Sequence, residues 1–249
     1  MKFNQLKRLR NIFHTPNKQA TLLFGLNKSG TTVTINLIAA RAGLTFTDDF
    51  PYHLGDFDKV LNKQVTLEDY VNLHSYEFSK DLIRFPDQPE AVDMARKYFD
   101  KKKYLLTVRN PVDNIRSILG RLKIPGDLNF LDLNTLELHP NWIKMLGQKE
   151  HYIESIATCW FNTYNSFYPF DSECILFKYE DFLSNKIDYI DLKVNELGFE
   201  RVNSIQDIIN VQYQPKGPSV NSTDFFSKKN LERIYTITGD LMTKYGYSV

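Results

Sequence analysis

Residues 25–32, Gly-Leu-Asn-Lys-Ser-Gly-Thr-Thr, have the types and the spacing of an anion-binding loop. A lysine lies between two glycines, and two threonines follow the second glycine. Backbone N–H groups at the start of a helix are unpaired and carry positive partial charge, so they attract phosphate or sulfate. The loop therefore predicts an anion site, provided that a strand precedes it and a helix follows it.

The G-x4-G spacing of Gly25 and Gly30 also occurs in loops that bind nucleoside triphosphates, but the flanking residues differ. Thr31 and Thr32 stand where such loops have a lysine and the Ser/Thr that holds Mg²⁺. The lysine of this loop, Lys28, lies three residues upstream of Thr31. This arrangement favours a shorter anion without a metal, and a kinase or NTPase is the alternative.

The elements needed to position this loop can be predicted from hydrophobic patterning. Ala20–Leu26 is a short apolar run typical of a buried strand, and Thr31–Ala42 has helical periodicity ended by Gly43. Tyr104–Val108 predicts a second strand, followed by a helix from Pro111 to about Leu122. Further predicted elements are helices over 151–168, 186–197 and 230–245 and a strand over 174–177. Alternating strands and helices predict a single α/β domain over 1–249, with a central parallel sheet flanked by helices and a basic tail over 1–18.

Four segments in order resemble the sulfotransferases that use 3′-phosphoadenosine 5′-phosphosulfate (PAPS). Lys28-Ser29-Gly30-Thr31-Thr32 resembles the loop that binds the 5′-phosphosulfate. Arg109-Asn-Pro, with Ser117 in the following helix, resembles the 3′-phosphate motif, and a guanidinium suits that anion because it donates two parallel hydrogen bonds. Tyr179-Glu-Asp is similar to a segment near the adenine, and Lys216-Gly217 to a late segment over the 3′-phosphate. Pro215 stands where the family has a basic residue.

The resemblance implies a P-loop-like sulfotransferase fold and PAPS as co-substrate, with no metal. It also implies sulfuryl transfer to a hydroxyl or amine of a small-molecule or carbohydrate acceptor. Lys28 is the predicted catalytic cation, which neutralises charge on the leaving phosphate. A catalytically idle nucleotide-binding protein of the same fold is a further alternative.

The general base is the least defined part of the prediction. Soluble small-molecule sulfotransferases have a K-T-H motif on a strand before the Arg of the 3′-phosphate motif. The corresponding window here, Leu82–Asp87, has no histidine, and Arg84 stands in place of the lysine. This window looks more like the protein-tyrosine and carbohydrate branches, which place a carboxylate base about 20 residues after the loop lysine. That spacing ranks Asp49 first and His53 second as the base. The remaining candidates are Asp48, Asp87 and His74.

Composition excludes several function classes. The chain has 31 Lys+Arg against 30 Asp+Glu, and a net charge of +1 is unlike a nucleic-acid coat. It has no run of about 18 apolar residues that would span a membrane. Residues 1–47 contain basic residues but no Asp or Glu, so the predicted anion loop lies in an acid-free stretch. Cys159 and Cys174 are interpreted as buried thiols in a reducing compartment, and the predicted location is the cytoplasm.

Overall fold

The computed structural model of the chain describes residues 11, 13–47, 59–60, 62–85, 97–100, 104–167, 174–213 and 221–248. Within these ranges, five strands and nine α-helices have defined bounds. In chain order they are β1 (Thr21–Phe24), α1 (Thr31–Ala42), β2 (Phe46–Thr47), α2 (Leu67–Leu73), α3 (Ser75–Phe78), β3 (Leu82–Arg84), β4 (Tyr104–Val108), α4 (Pro111–Leu122), α5 (Pro140–Leu146), α6 (Tyr152–Asn165), β5 (Cys174–Lys178), α7 (Tyr179–Ser184), α8 (Lys186–Glu196) and α9 (Lys228–Lys244).

The strands form one sheet in the order β2-β3-β1-β4-β5. The central strand β1 runs parallel to both of its neighbours, with Leu22 in register with Ile83 of β3 and Tyr104 of β4. Every residue of β1 and β4 is buried, as expected for a parallel sheet that helices cover on both faces. The predicted α/β class, a central parallel sheet flanked by helices, is confirmed.

Helix α1 has the predicted bounds, and its ends explain them. Gly43 follows the last helical residue with a φ of 66°, and its N–H donates to the carbonyl groups of Ala39 and Ala40. Glycine adopts this left-handed conformation without a Cβ clash, so the helix stops there. The buried side chains of Ile35 and Ile38 fix the face of α1 that packs into the core.

Helix α4 also begins at the predicted residue. The Asn110 side chain accepts a hydrogen bond from the Val112 N–H, and Pro111 occupies the first turn, where its missing N–H costs nothing. After Leu122 the chain turns at Lys123, whose φ is 59°. The Arg109 that precedes this helix is therefore held at the carboxyl end of β4.

The chain divides into two compact units. The sheet unit contains residues 1–25, 30–107 and 170–211, and therefore the five strands, apart from the last residue of β4, with α1–α3, α7 and α8. Its core includes Leu23, Phe177 and Ile190. The helical unit contains residues 26–29, 108–169 and 212–249, and therefore α4–α6 and α9. In it α9 packs along α6, and the Tyr245 hydroxyl donates to the carbonyl group of the fully buried Tyr164.

The structure corrects one sequence prediction. Cys159 and Cys174 are free thiols, but both are partly exposed rather than buried. Cys174 is the first residue of β5, an end strand of the sheet whose burial is incomplete, so an apolar run there does not imply a fully covered strand. The segment before β3, which has no clear periodicity, contains the short helices α2 and α3.

Candidate functional site

In the helical unit, the loop residues 26–29 are tied down by side chains from α4, α6 and the end of β4. The Leu26 N–H donates to the Tyr164 hydroxyl (3.2 Å). The Asn114 amide Nδ2 donates to the Asn27 carbonyl (2.8 Å), and Arg109 Nη1 donates to the Lys28 carbonyl (3.0 Å). Three successive loop residues are therefore bound by partners distant in sequence.

Lys28 has a backbone conformation that a lysine rarely adopts. Its φ is 67°, and the Ser29 N–H donates to the Leu26 carbonyl (3.0 Å) to close the turn. A non-glycine residue in the left-handed region costs about 1–2 kcal/mol, which the surrounding hydrogen bonds must offset.

The electrostatic environment of Lys28 is positive. Burial lowers the pKa of its ammonium group, and the positive charges of Arg121 and Arg109 lower that pKa further. Arg121 lies in the last turn of α4, and Arg109 directly precedes that helix. Among the described residues, the charges that shift the pKa of Lys28 are both cationic, so an anion bound here would relieve their repulsion.

Arg109 is held through its backbone as well as its side chain. The indole Nε1 of the buried Trp160 donates to the Arg109 carbonyl (3.1 Å). A guanidinium has five N–H donors, so it can bind a carbonyl group and a phosphate at the same time. Ser117, the other predicted 3′-phosphate ligand, is partly exposed on α4.

In the sheet unit, Gly30, Thr31 and Thr32 form the start of α1. Gly30 precedes the helix with a φ of 102°, and the first turn contains no acidic residue. Arg84, at the end of β3 and only 7% exposed, donates through Nη1 to the Thr31 hydroxyl (2.8 Å). A buried guanidinium thus lies at the positive end of a helix dipole, and together they favour an anion.

Tyr179 is the first residue of α7, directly after β5, and its ring lies against Gly30. A Cβ atom built on Gly30 would lie 2.4 Å from Cδ2 of that ring. Only glycine therefore fits at this position. The tyrosine, predicted to lie near an adenine, is placed beside the start of α1.

Several predicted site residues lie outside the described part of the chain. They are the candidate bases Asp48, Asp49, His53 and Asp87 and the phosphate-binding residues Lys216 and Gly217. The remaining candidate base, His74, is among the described residues and lies at the C-terminal end of α2. The centroids of its ring and of the Tyr70 ring are 4.7 Å apart.

The sequence patterns did not identify Asn114 and Tyr164 as partners of the loop, or Trp160 as the partner of the Arg109 carbonyl. Of these residues, only Asn114 could have been singled out from the sequence, because it is a polar residue among the apolar positions that form the buried face of α4. Within the described ranges, no group of three or more His, Cys, Asp or Glu side chains could hold a metal ion. The helices described there also include none long and apolar enough to cross a bilayer.

Comparison with known proteins gives a match in structure alone. No family model and no curated protein sequence matches the chain. Among solved structures, mouse sulfotransferase SULT7A1 complexed with PAP superposes with a TM-score of 0.53 at 15% identity, over 99% of this chain and 95% of that one. The sulfotransferase domain of the curacin biosynthetic pathway gives 0.52 at 12% identity, over 95% and 99%.

The chain has the sulfotransferase fold. A third sulfotransferase domain, from the olefin synthase of Synechococcus PCC 7002, agrees with this result, with a TM-score of 0.51 at 14% identity over 95% of this chain and 97% of that one. In each case the match covers nearly the full length of both chains. The similarity therefore extends over nearly the whole length of the chain and is not confined to the loop region.

Proposed function

We propose that this chain transfers the sulfuryl group of PAPS to a hydroxyl or amine of a small-molecule or carbohydrate acceptor. The observation that carries the proposal is the setting of Lys28, whose carbonyl accepts from Arg109 and whose ammonium pKa is lowered by the charges of Arg121 and Arg109. The sulfotransferase fold and the PAP bound in the mouse structure support it. The resemblance of residues 28–32 to a phosphosulfate loop agrees with both.

In the proposed donor site, the loop and the start of α1 bind the 5′ end of PAPS, and later segments of the chain bind its 3′-phosphate and adenine. The N–H groups of residues 30–32 and the positive end of α1 hold the 5′-phosphosulfate, with Arg84 beside them through Thr31. The 3′-phosphate and adenine are bound by residues that the family resemblance identifies: Arg109, Ser117, Tyr179, Lys216 and Gly217. These residues supply cations and hydroxyl donors, as a multiply charged anion requires.

The proposed reaction is an in-line transfer of the sulfuryl group. The acceptor oxygen or nitrogen attacks sulfur, a new bond to sulfur forms, and the bond between sulfur and the 5′-phosphate oxygen breaks. The electron pair of the broken bond stays on that phosphate oxygen, where the Lys28 ammonium neutralises it. A general base takes the acceptor proton, and we propose Asp49 for this role, with His53 as the second candidate.

The test is transfer of labelled sulfate from PAPS to a panel of phenols, alcohols, amines and sugars. We expect at least one labelled product with release of PAP, activity lost in Lys28→Ala and activity kept in Lys228→Ala, an exposed lysine at the start of α9. PAP binding without transfer to any acceptor would instead support the idle nucleotide-binding protein. Mg²⁺-dependent turnover of ATP would overturn the proposal in favour of a kinase or NTPase.

A further inference from the structure

One face of α4 runs from the loop anchor to a cation outside the proposed donor site. Asn114, Ser117 and Arg121 are spaced at i, i+3 and i+7, so they lie on the same side of the helix. Asn114 is buried and binds the Asn27 carbonyl of the loop. Arg121 lies two turns further along, about 10 Å by the rise of an α-helix.

The charge of Arg121 acts on the loop lysine. Of the two arginines that lower the pKa of Lys28, Arg121 has the larger effect, although it is Arg109 that binds the Lys28 carbonyl. Arg121 also lies on the same face of α4 as Asn114, which binds the carbonyl group of Asn27, the residue before Lys28. It is an exposed side chain in the helical unit, so it is accessible to a ligand.

Two acids of the helical unit, on α4 and α6, have partners other than Arg121. Asp113, on α4 itself, accepts a hydrogen bond from the Ser222 hydroxyl. Glu154 of α6 pairs with Arg233 of α9 at 2.8 Å. Within the described ranges, no carboxylate forms an ion pair with Arg121.

We propose that Arg121 binds an anionic group of the acceptor, so that the preferred acceptors are hydroxyl compounds that carry a carboxylate or another oxyanion. The proposal rests on the proposed function. An acceptor must contact the sulfuryl group near Lys28, so its substituents extend over the surface around that lysine. An exposed guanidinium there matches an oxyanion through two parallel hydrogen bonds, whereas the donor's phosphates are already matched by Arg109, Ser117 and the loop.

The experiment compares acids with their amides. Para-hydroxyphenylacetate and para-hydroxyphenylacetamide have the same nucleophile and differ in charge, and para-hydroxyphenyl phosphate extends the series to a second oxyanion. We expect wild type to have the higher kcat/KM for the acids, and Arg121→Gln to lower the acid-to-amide ratio by about 10-fold or more, the size of one charge-assisted contact. PAP affinity at neutral pH should fall by a much smaller factor than the acid-to-amide ratio, because Arg121 acts on the donor site only through its charge on Lys28.

The matched control is Lys123→Asn, which removes a neighbouring exposed cation and keeps the left-handed backbone that asparagine tolerates. This control should leave the acid-to-amide ratio unchanged. An equal preference for acid and amide in wild type, or a ratio that Arg121→Gln does not alter, would overturn the proposal. A fall in PAP affinity at neutral pH as large as the fall in the acid-to-amide ratio would also overturn it, because the arginine would then belong to the donor site.

A binding measurement separates this inference from the proposed function. Calorimetry of the acid and the amide with PAP-saturated protein needs no turnover, and the acid should bind more tightly in a manner that depends on Arg121. If sulfuryl transfer fails but this binding is observed, the proposed function falls and the anion site stands. If transfer occurs without any preference for oxyanions, the proposed function stands and the anion site at Arg121 falls.

Discussion

The aromatic ring of Tyr179 lies against the backbone of Gly30 so closely that a Cβ atom on Gly30 would be 2.4 Å from Cδ2 of the ring. Gly30 also has a φ of 102°, which disfavours any side chain. The two residues belong to the same unit, one at the start of α1 and the other at the start of α7. Their contact fixes how the anion loop enters its helix.

Gly30→Ala should therefore destabilise the protein more than backbone strain alone would. Gly198→Ala is the matched control, because Gly198 has a φ of 76° with no atom within 4 Å of the added Cβ. The control should cost about 1–2 kcal/mol of unfolding free energy from strain, and Gly30→Ala should exceed it in urea unfolding. The loss caused by Gly30→Ala should be closer to that of the control when it is measured against Tyr179→Ser, because the double variant lacks the ring that the new Cβ would meet. Equal losses in the two single variants would contradict the steric explanation.

Lys28 and Arg109 should differ in what they contribute but act as a coupled pair. Lys28→Ala should lower single-turnover transfer by about 100-fold or more, as for the loss of one preorganised charge. Arg109→Ala should chiefly weaken PAP binding, and it should lower turnover as well because Arg109 holds the Lys28 carbonyl. Calorimetry measures the PAP affinity of each variant, and rapid-quench kinetics measures its rate of sulfuryl transfer.

A double-mutant cycle tests that coupling. In Lys28→Ala/Arg109→Ala the loss of turnover should be smaller than the sum of the single losses in ΔΔG‡, since the lysine that Arg109 positions is gone. Fully additive losses would mean that the two residues act independently, despite their hydrogen bond.

The lowered pKa of Lys28 predicts an alkaline limb in PAP binding. Binding needs the protonated ammonium, so affinity is full below the pKa of Lys28 and is lost as pH rises through it, earlier than for an ordinary lysine. Lys28→Arg should remove this limb over about pH 7 to 11. Arg121→Gln removes a positive charge, so it should raise that pKa and move the limb to higher pH. A limb that persists in Lys28→Arg would assign the titration to another group.

Arg84 should contribute to donor binding from a buried position. Arg84→Met removes the guanidinium beside Thr31 and should weaken PAP binding by about 10-fold or more, the range of a charge-assisted contact. Arg84→Lys keeps the charge and should lose less. Arg201→Met is the control, since Arg201 is a half-exposed partner of Asp191 at the surface. Wild-type PAP affinity in Arg84→Met, with a native circular dichroism spectrum, would exclude a role in binding.

The identity of the base is tested by Asp49→Asn and His53→Ala. We expect Asp49→Asn to lower kcat by about 100- to 10,000-fold, the usual range for a general base, with PAP affinity unchanged. Asp48→Asn controls for the loss of a neighbouring carboxylate. If His53→Ala has the larger effect, the histidine is the base instead. The acidic limb of the kcat profile should disappear in whichever variant lacks the base.

The individual elements around the loop could be predicted because their causes are local. Gly43 ends α1 and the Asn110-Pro111 pair starts α4, each through bonds made within a few residues. The apolar runs of β1 and β4 are buried as predicted, because a sheet covered on both faces needs apolar residues throughout. Incomplete burial of β5 was not predictable, since it depends on the position of that strand at the end of the sheet.

The sequence by itself determined the α/β class, the loop between β1 and α1, and the residue types that suit an anion. Only the tertiary structure decided which side chains hold that loop. Arg84 reaches Thr31, Arg109 reaches Lys28 and Asn114 reaches Asn27 across 53, 81 and 87 residues of chain. Such contacts depend on the order in which the strands pair, because that order sets which strand ends and helices lie side by side. Local sequence patterns contain no information about that order.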